Sequence, residues 1–335
     1  MKCFEFQRAD TTQDAVRRVT ESGGMYFAGG TNLLDLMKNG VAQPDHLVDV
    51  RHLGLTTITE TSTGGILIGA GVTNTAVANH PLVRTRYPVL SQAILSGATT
   101  QLRNMATAGG NLTQRTRCPY FMDVAFAACN KRDPGSGCAA LHGFNREHAL
   151  FGAGTSCVAV HPSDMAVALS ILDASVHVQG VDGYRRIAIP EFFRLPGSTP
   201  QQDNTLHRGE LITGIELPPS GYAEHSWYLK VRDRHSYAFA LVSVAAGLVI
   251  DGGVIRRAAL ALGGVAATPW RVGDAEAALV GERPDAQAFD TAAELALRGA
   301  QPLSQNGFKI DLGKHSVVRA LTRARDTMRV AAGPE

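Results

Sequence analysis

The chain has 335 residues, of which 44% are hydrophobic and 19% charged, and its formal net charge is +2. That balance excludes a disordered chain, supplies a proper core and suits two or three domains. So small a charge excludes nucleic acid as the expected partner, and no apolar run reaches the length of about 18 residues that a membrane span needs. The opening MKCFEFQRADTT lacks an apolar stretch, so no signal peptide is expected there.

A helix is expected from Asp10, with Gln13 in capping-box spacing and Ala15, Val16 and Val19 on its inner side; Gly23-Gly24 ends it. The stretch YFAGGTNLLDLMKNG, Tyr26 to Gly40, is the first candidate site. Tyr26 and Phe27 close a short strand, Ala28-Gly29-Gly30 turns the chain, and Thr31 and Asn32 open a helix with Leu33, Leu34, Leu36 and Met37 on its apolar side. Strand, glycine turn and helix start aim several backbone N–H groups at one point. Such a point either holds an anion, a phosphate or pyrophosphate above all, or is simply a tight turn. With a strand at His46–Val50, residues 1 to about 55 form a small α/β unit.

Short strand pieces run from Leu55 to Gly69, and a helical segment spans Pro81 to Leu95. GATTQLRNMATAGGNLTQ, residues 97–114, is a second glycine-rich polar loop containing Thr107, Gly110 and Asn111. No GxGxxG is present, and a dinucleotide held without it draws its donors from more than one segment. Of the five cysteines, Cys118, Cys129, Cys138 and Cys157 crowd one irregular stretch without a C-x2-C pair. Four thiolates closing on one centre suit a [4Fe-4S] cluster or a tetrahedral zinc, and the bland alternative is four unconnected thiols. Cys3 is left over as a spectator.

Val158–Val160 reads as a strand, and Ser163 caps a helix from Asp164 to Leu172. Asp164 either serves the helix dipole or accepts hydrogen bonds from a ribose or flavin ring. Strands follow near Ser175–Val178, Arg186–Ile189 and Leu211–Leu217, and Pro218-Pro219-Ser220-Gly221 is a linker. Beyond it, strands at Trp227–Val231, Tyr237–Ile250 and Ala258–Leu262, with helices near 273–281, 285–299 and 315–331, make a separate α+β domain. Val317, Leu321, Ala324 and Met328 mark the inner face of the last helix. Lys230, Arg232, Asp233, Arg234 and Tyr237 form a polar knot, either a charged hairpin loop or a loop facing a cofactor.

Taken together, Ala28-Gly-Gly-Thr-Asn32, Thr107-Ala-Gly-Gly-Asn-Leu112, His161-Pro-Ser-Asp164 and Tyr228-x-Lys230-x-x-x-Arg234-x-Ser-Tyr237 resemble the FAD-binding (medium) subunit of the molybdenum hydroxylases, over essentially the whole chain. RTRCPYF, CNKRDPGSGCAAL and Cys157 are similar to the subgroup of periplasmic aldehyde oxidoreductases whose medium subunit carries an extra [4Fe-4S] cluster. The resemblance implies an α+β chain: a two-subdomain FAD-binding domain of the vanillyl-alcohol-oxidase (PCMH) type over 1–221, with subdomains about 1–55 and 56–221 and a cluster loop at 115–157. A C-terminal flavoprotein domain of antiparallel sheet plus helices would follow over 222–335. It implies FAD on residues 26–34, Thr107, Gly110, Asn111, Asp164 and Lys230, and the cluster on Cys118, Cys129, Cys138 and Cys157. It places the molybdenum cofactor and two [2Fe-2S] clusters on large and small partner subunits of a heterotrimer. No residue of this chain is then catalytic: electrons pass from the [2Fe-2S] clusters through FAD to an external acceptor while the partner oxidises an aldehyde. A xanthine dehydrogenase-like subunit with another substrate is the alternative. No nucleotide motif for NAD is evident. The subgroup reaches the periplasm on a partner's twin-arginine signal, which is the expected location here, with the cytoplasm as the alternative.

Overall fold

The computed structural model describes residues 1–327. Strands β1 (Glu5–Arg8), β2 (Met25–Phe27) and β3 (His46–Asp49) form a parallel sheet in the order β1-β3-β2. The helix Thr12–Ser22 packs Ala15, Val16 and Val19 beneath it. Its cap is Thr11, not Asp10: the Thr11 hydroxyl accepts from Asp14 N–H, and Asp14 returns a bond to Asp10 N–H. The cap is therefore shifted by one residue, and Asp14 reaches back past it to the residue before. Gly23 ends the helix at φ 68°, a left-handed conformation that glycine adopts without strain.

The second sheet is antiparallel. β4 (Ile58–Glu60), β5 (Ile66–Gly69), β6 (Ser175–Gly180), β7 (Gly183–Ala188) and β8 (Leu211–Leu217) lie in the order β4-β5-β8-β6-β7. The helices at 88–96 and 164–171 share one apolar core with this sheet. The expected single helix over 81–95 is two, Pro81–Arg86 and Pro88–Ser96. Pro88 disfavours helical geometry at Tyr87 and then serves as the first residue of the next helix. The glycine-rich stretch 97–114 is not a bare loop. It folds into short helices Thr100–Met105 and Ala108–Leu112, capped by Thr99 and Thr107. Val158–Val160 is not a strand: Val158 accepts one backbone bond from Ala149, and no ladder follows.

β9 (Ser226–Val231), β10 (Val242–Asp251), β11 (Val254–Gly263) and β12 (Trp270–Arg271) make a third, antiparallel sheet in the order β12-β11-β10-β9. β10 starts at Val242, so Tyr237–Leu241 is loop, with Tyr237 at φ 52°. The final helix, Phe308–Asp326, begins seven residues before the expected 315 and lays Val317, Ala320, Leu321 and Ala324 on this sheet. Met328 lies outside the described residues. No helix among the described residues is long and apolar enough to cross a membrane.

The early start of that helix has a purpose. It brings Lys309, fully buried, under the segment that leads into the cysteine loop. Lys309 Nζ donates to the carbonyl oxygens of Gly264 at 2.5 Å, His148 at 2.8 Å and Glu147 at 3.4 Å. Burial pulls its pKa down to about 7, and the three carbonyls supply what an enclosed ammonium needs. Lys309→Met keeps the volume but leaves those oxygens dry. It should cost about 3 kcal/mol of stability, read as a lower melting temperature; an unchanged melt would show that the ammonium contributes nothing net.

Candidate functional site

The turn after β2 is set by close backbone approach. A Cβ on Gly29 would collide with the carbonyl of Met105, and Gly30 sits at φ 70°. The turn and the helix Leu33–Lys38 then enclose one side of a cavity of about 970 Å³. That is at the top of the range of about 300–1,000 Å³ usual for ligand pockets. Among the described residues, no protein acceptor takes the N–H groups of Gly29, Gly30, Thr31 or Asn32. Asn32 was expected to start the helix, yet its side chain makes no cap. Its Oδ1 accepts from Arg115 N–H at 2.9 Å, and its buried Nδ2 has no partner.

The opposite wall comes from the segment 97–114 and the helix Asp164–Ile171. Thr107 Oγ1 accepts from Gly110 N–H at 3.3 Å. Asn111 Oδ1 accepts from Ser163 Oγ at 2.5 Å, and Ser163 in turn caps the helix through Ala166 N–H. Asp164 does more than serve a helix dipole. Its two oxygens take Tyr228 OH at 2.7 Å and Lys230 Nζ at 2.8 Å, with only 10% and 3% of the Asp164 and Lys230 side chains exposed.

Of the residues expected to hold the cofactor, Gly29, Gly30, Thr31, Asn32, Leu34, Gly110, Asn111, Asp164 and Lys230 line this one cavity. Tyr26, Phe27, Ala28, Leu33 and Thr107 do not. Tyr26 and Thr107 support it from behind: Tyr26 OH donates to Gly209 O at 2.6 Å, and Thr107 caps the helix that carries Gly110. The polar knot splits. Lys230, Asp233, Arg234 and Tyr237 face the cavity, whereas Arg232 turns to the Ser96 carbonyl. Sequence reasoning missed Asn74, whose buried Oδ1 has no partner; Arg103 and Arg117 stand in the same wall. The Thr73 cap just before Asn74 was the one available signal for the first.

These features suit a dinucleotide such as FAD: free backbone donors at one end, cations in the walls and unpartnered amide atoms between them.

The cysteine stretch is irregular but firmly held. Asn130 Oδ1 accepts from Gly135 and Gly137 N–H, closing a turn in which both glycines have positive φ. This turn pairs Cys129 with Cys138 across a single bridge. All four sulfur-bearing residues, Cys118, Cys129, Cys138 and Cys157, line one small cavity. Burial pushes the Cys118 thiol up to about 12 and raises Cys157 too, the latter opposed by Lys131. Cys118 Sγ lies 3.2 Å from His148 Nε2. Among the described residues no group of three His, Cys, Asp or Glu side chains stands at single-ion spacing. Four thiols around one cavity are a donor set whose chemistry suits an iron–sulfur cluster, and their spacing is not that of a single-ion site.

Asp203 anchors both flanks of this stretch. It takes Arg115 Nε at 2.7 Å and Lys131 Nζ at 2.5 Å. Burial pushes its carboxyl up, but Arg115 and Lys131 outweigh that and hold it below the usual carboxylate range. A depressed carboxylate contributes stability that is complete above the unfolded value of about 4 and is lost as pH falls through the folded value. Asp203→Asn should therefore lower stability at pH 7 and flatten the acid limb of a stability–pH curve below about 4. An acid limb as steep as that of the wild type would remove Asp203 from this role.

Residues 2–220 match the family described as the FAD binding domain in molybdopterin dehydrogenase, and residues 227–325 match the CO dehydrogenase flavoprotein C-terminal domain. The chain is 48% identical over 327 residues to the aldehyde oxidoreductase FAD-binding subunit PaoB of Escherichia coli, covering 97% of this chain and 99% of that one. It is 27% identical over 282 residues to the glyceraldehyde dehydrogenase medium chain of Sulfolobus acidocaldarius, covering 84% and 82%. A solved CO dehydrogenase chain from Oligotropha carboxidovorans matches with a TM-score of 0.75 at 25% identity, covering 97% of this chain and 98% of that one. With the first match running over more than half its length, the chain belongs to the FAD-binding (medium) subunits of the molybdenum hydroxylases, a family of oxidoreductases.

Proposed function

We propose that this chain is the flavin and iron–sulfur electron-transfer subunit of a heterotrimeric, molybdenum-dependent aldehyde oxidoreductase. The observation that carries the reading is the pairing, in one chain, of a dinucleotide-sized cavity with four thiols around a second, separate cavity. The 48% identity to an aldehyde oxidoreductase FAD-binding subunit supports the substrate class. Gly29 to Asn32 offer backbone donors to the pyrophosphate, and Asn32, Asn74 and Asn111 offer side-chain amides along the cavity. Asp164 and Lys230 fix the wall where the two halves of the chain meet. Cys118, Cys129, Cys138 and Cys157 are the ligands of a [4Fe-4S] cluster. When bound, the flavin supplies exchange between two-electron and one-electron transfer, and the cluster supplies one-electron transfer.

The protein's own work is then to bind, orient and tune, with no side chain acting as acid, base or nucleophile on a substrate. The large subunit with the molybdenum cofactor and the small [2Fe-2S] subunit are the partners, and an external acceptor completes the circuit. Export of the assembled complex to the periplasm on a partner's signal belongs to the same proposal.

The test is metal and chromophore analysis of the co-expressed complex, purified without oxygen. Flavin bands, a broad cluster shoulder and about four irons beyond those of the partner's clusters are expected. Zinc in place of those irons would leave the flavin reading and end the cluster reading. Cys138→Ser should remove about four irons per complex and leave FAD bound. Unchanged iron in that variant would overturn the ligand assignment.

A further inference from the structure

Arg117 stands between the two sites. It lines the flavin cavity and also a small pocket of about 50 Å³ beside it. Cys118 lines that small cavity and the four-thiol cavity. The three spaces thus run in a row, with Arg117 shared by the first two and Cys118 by the last two.

The neighbouring arginines have carboxylates: Arg115 has Asp203 and Arg146 has Asp233. Arg117 forms no ion pair among the described residues. Its guanidinium lies 5.3 Å from the centre of the Phe239 ring, and its Nη1 donates to the Arg115 carbonyl. Burial holds its pKa below the ordinary guanidinium range, with Asp35 and Tyr237 opposing from a distance. An enclosed cation is costly unless something anionic faces it. Glu147 and Asp164 line the same two cavities, but neither forms an ion pair with Arg117 and Asp164 is held by Lys230; the two groups that would sit on either side both gain negative charge on reduction.

We propose that Arg117 is a counter-charge common to the flavin and the four-thiol site, holding both reduction potentials up. The inference rests on the reading that both groups are bound here. It requires the guanidinium's charge and position, and it assigns Arg117 no contact with the aldehyde.

The experiment is a redox titration of the intact complex, following the flavin by its visible bands and the cluster by electron paramagnetic resonance. Arg117→Gln should shift both potentials to more negative values, and Arg117→Lys should return both toward the wild type. Arg117→Met, which keeps an apolar stem over Phe239, serves if the Gln variant does not load. Loss of cofactor in both neutral variants, with loading kept in Arg117→Lys, would also support a role for charge. Loss in all three would overturn it, since shape alone would then explain the residue. A loaded neutral variant in which either potential stays put overturns the shared role. A wild-type complex lacking the flavin or the additional irons ends the underlying reading instead, and that result is visible before any variant is made.

Discussion

Two buried charges hold the molecule to a single arrangement. Asp164 opens the helix 164–171 of the FAD-binding half, and Lys230 stands on β9 of the C-terminal half. Tyr228, two residues before Lys230 on the same face of the strand, takes the second oxygen of the carboxylate. Neither charge can be left alone in such a place without a cost of several kcal/mol, so the halves are locked in register as well as packed. Tyr228, Ala245, Ala259 and Ala261 from beyond the linker share the apolar core of the helices at 88–96 and 164–171. The helix that carries Asp164 is fixed in turn by Ser163, which also binds Asn111. A short chain of hydrogen bonds therefore ties the second glycine-rich segment, the capped helix and β9 into one wall.

The cysteine stretch solves the opposite problem. Outside one short helix and one turn of 3-10 helix it has little regular structure, so its backbone cannot satisfy itself by ladders. Side chains take over. Asn130 closes the turn between Cys129 and Cys138, and Arg132 donates to the carbonyls of Tyr120 and Phe121. Lys131 and Arg115 converge on Asp203. Lys309 and Asn306 grip the carbonyls that lead up to His148 from below. The thiols are thereby presented by a scaffold made of local clamps, and burial keeps Cys118 and Cys157 protonated until something draws the proton away.

How much of this could be read in the sequence depended on the range of the interaction. The Gly29-Gly30 turn, the Ser163 cap and the Leu211–Leu217 strand follow from neighbouring residues, and each is found where its pattern puts it. Thr99 and Thr107 caps were equally local but were hidden by the glycines around them, which read as loop. The start of the last helix was missed because Phe308–Lys314 includes Gly313 and puts a charged residue, Lys309, where the apolar stripe would run. Lys309 is helical and buried because three carbonyls from 45 to 162 residues away need it. Asn74 comes to the cavity wall for the same reason: residues distant in sequence meet there. A pattern that looks only a few residues ahead cannot find them.

That division explains the character of the flavin cavity. A protein folding for stability alone would pair the amide of Asn32, the carbonyl of Asn74 and the N–H groups of the glycine turn with its own atoms. Each buried polar atom left without a partner costs about 1–3 kcal/mol. Two such side-chain atoms, on Asn32 and Asn74, and the free N–H groups of the turn face this one cavity. A ligand that binds only the folded chain and satisfies those atoms adds its binding free energy to stability. The same logic would hold at the thiols, whose desolvation a bound metal centre would offset by taking the protons' place. The cavity is therefore a part of the fold that the chain itself leaves incomplete, and the latch at Asp164 and Lys230 holds its wall in place without collapse.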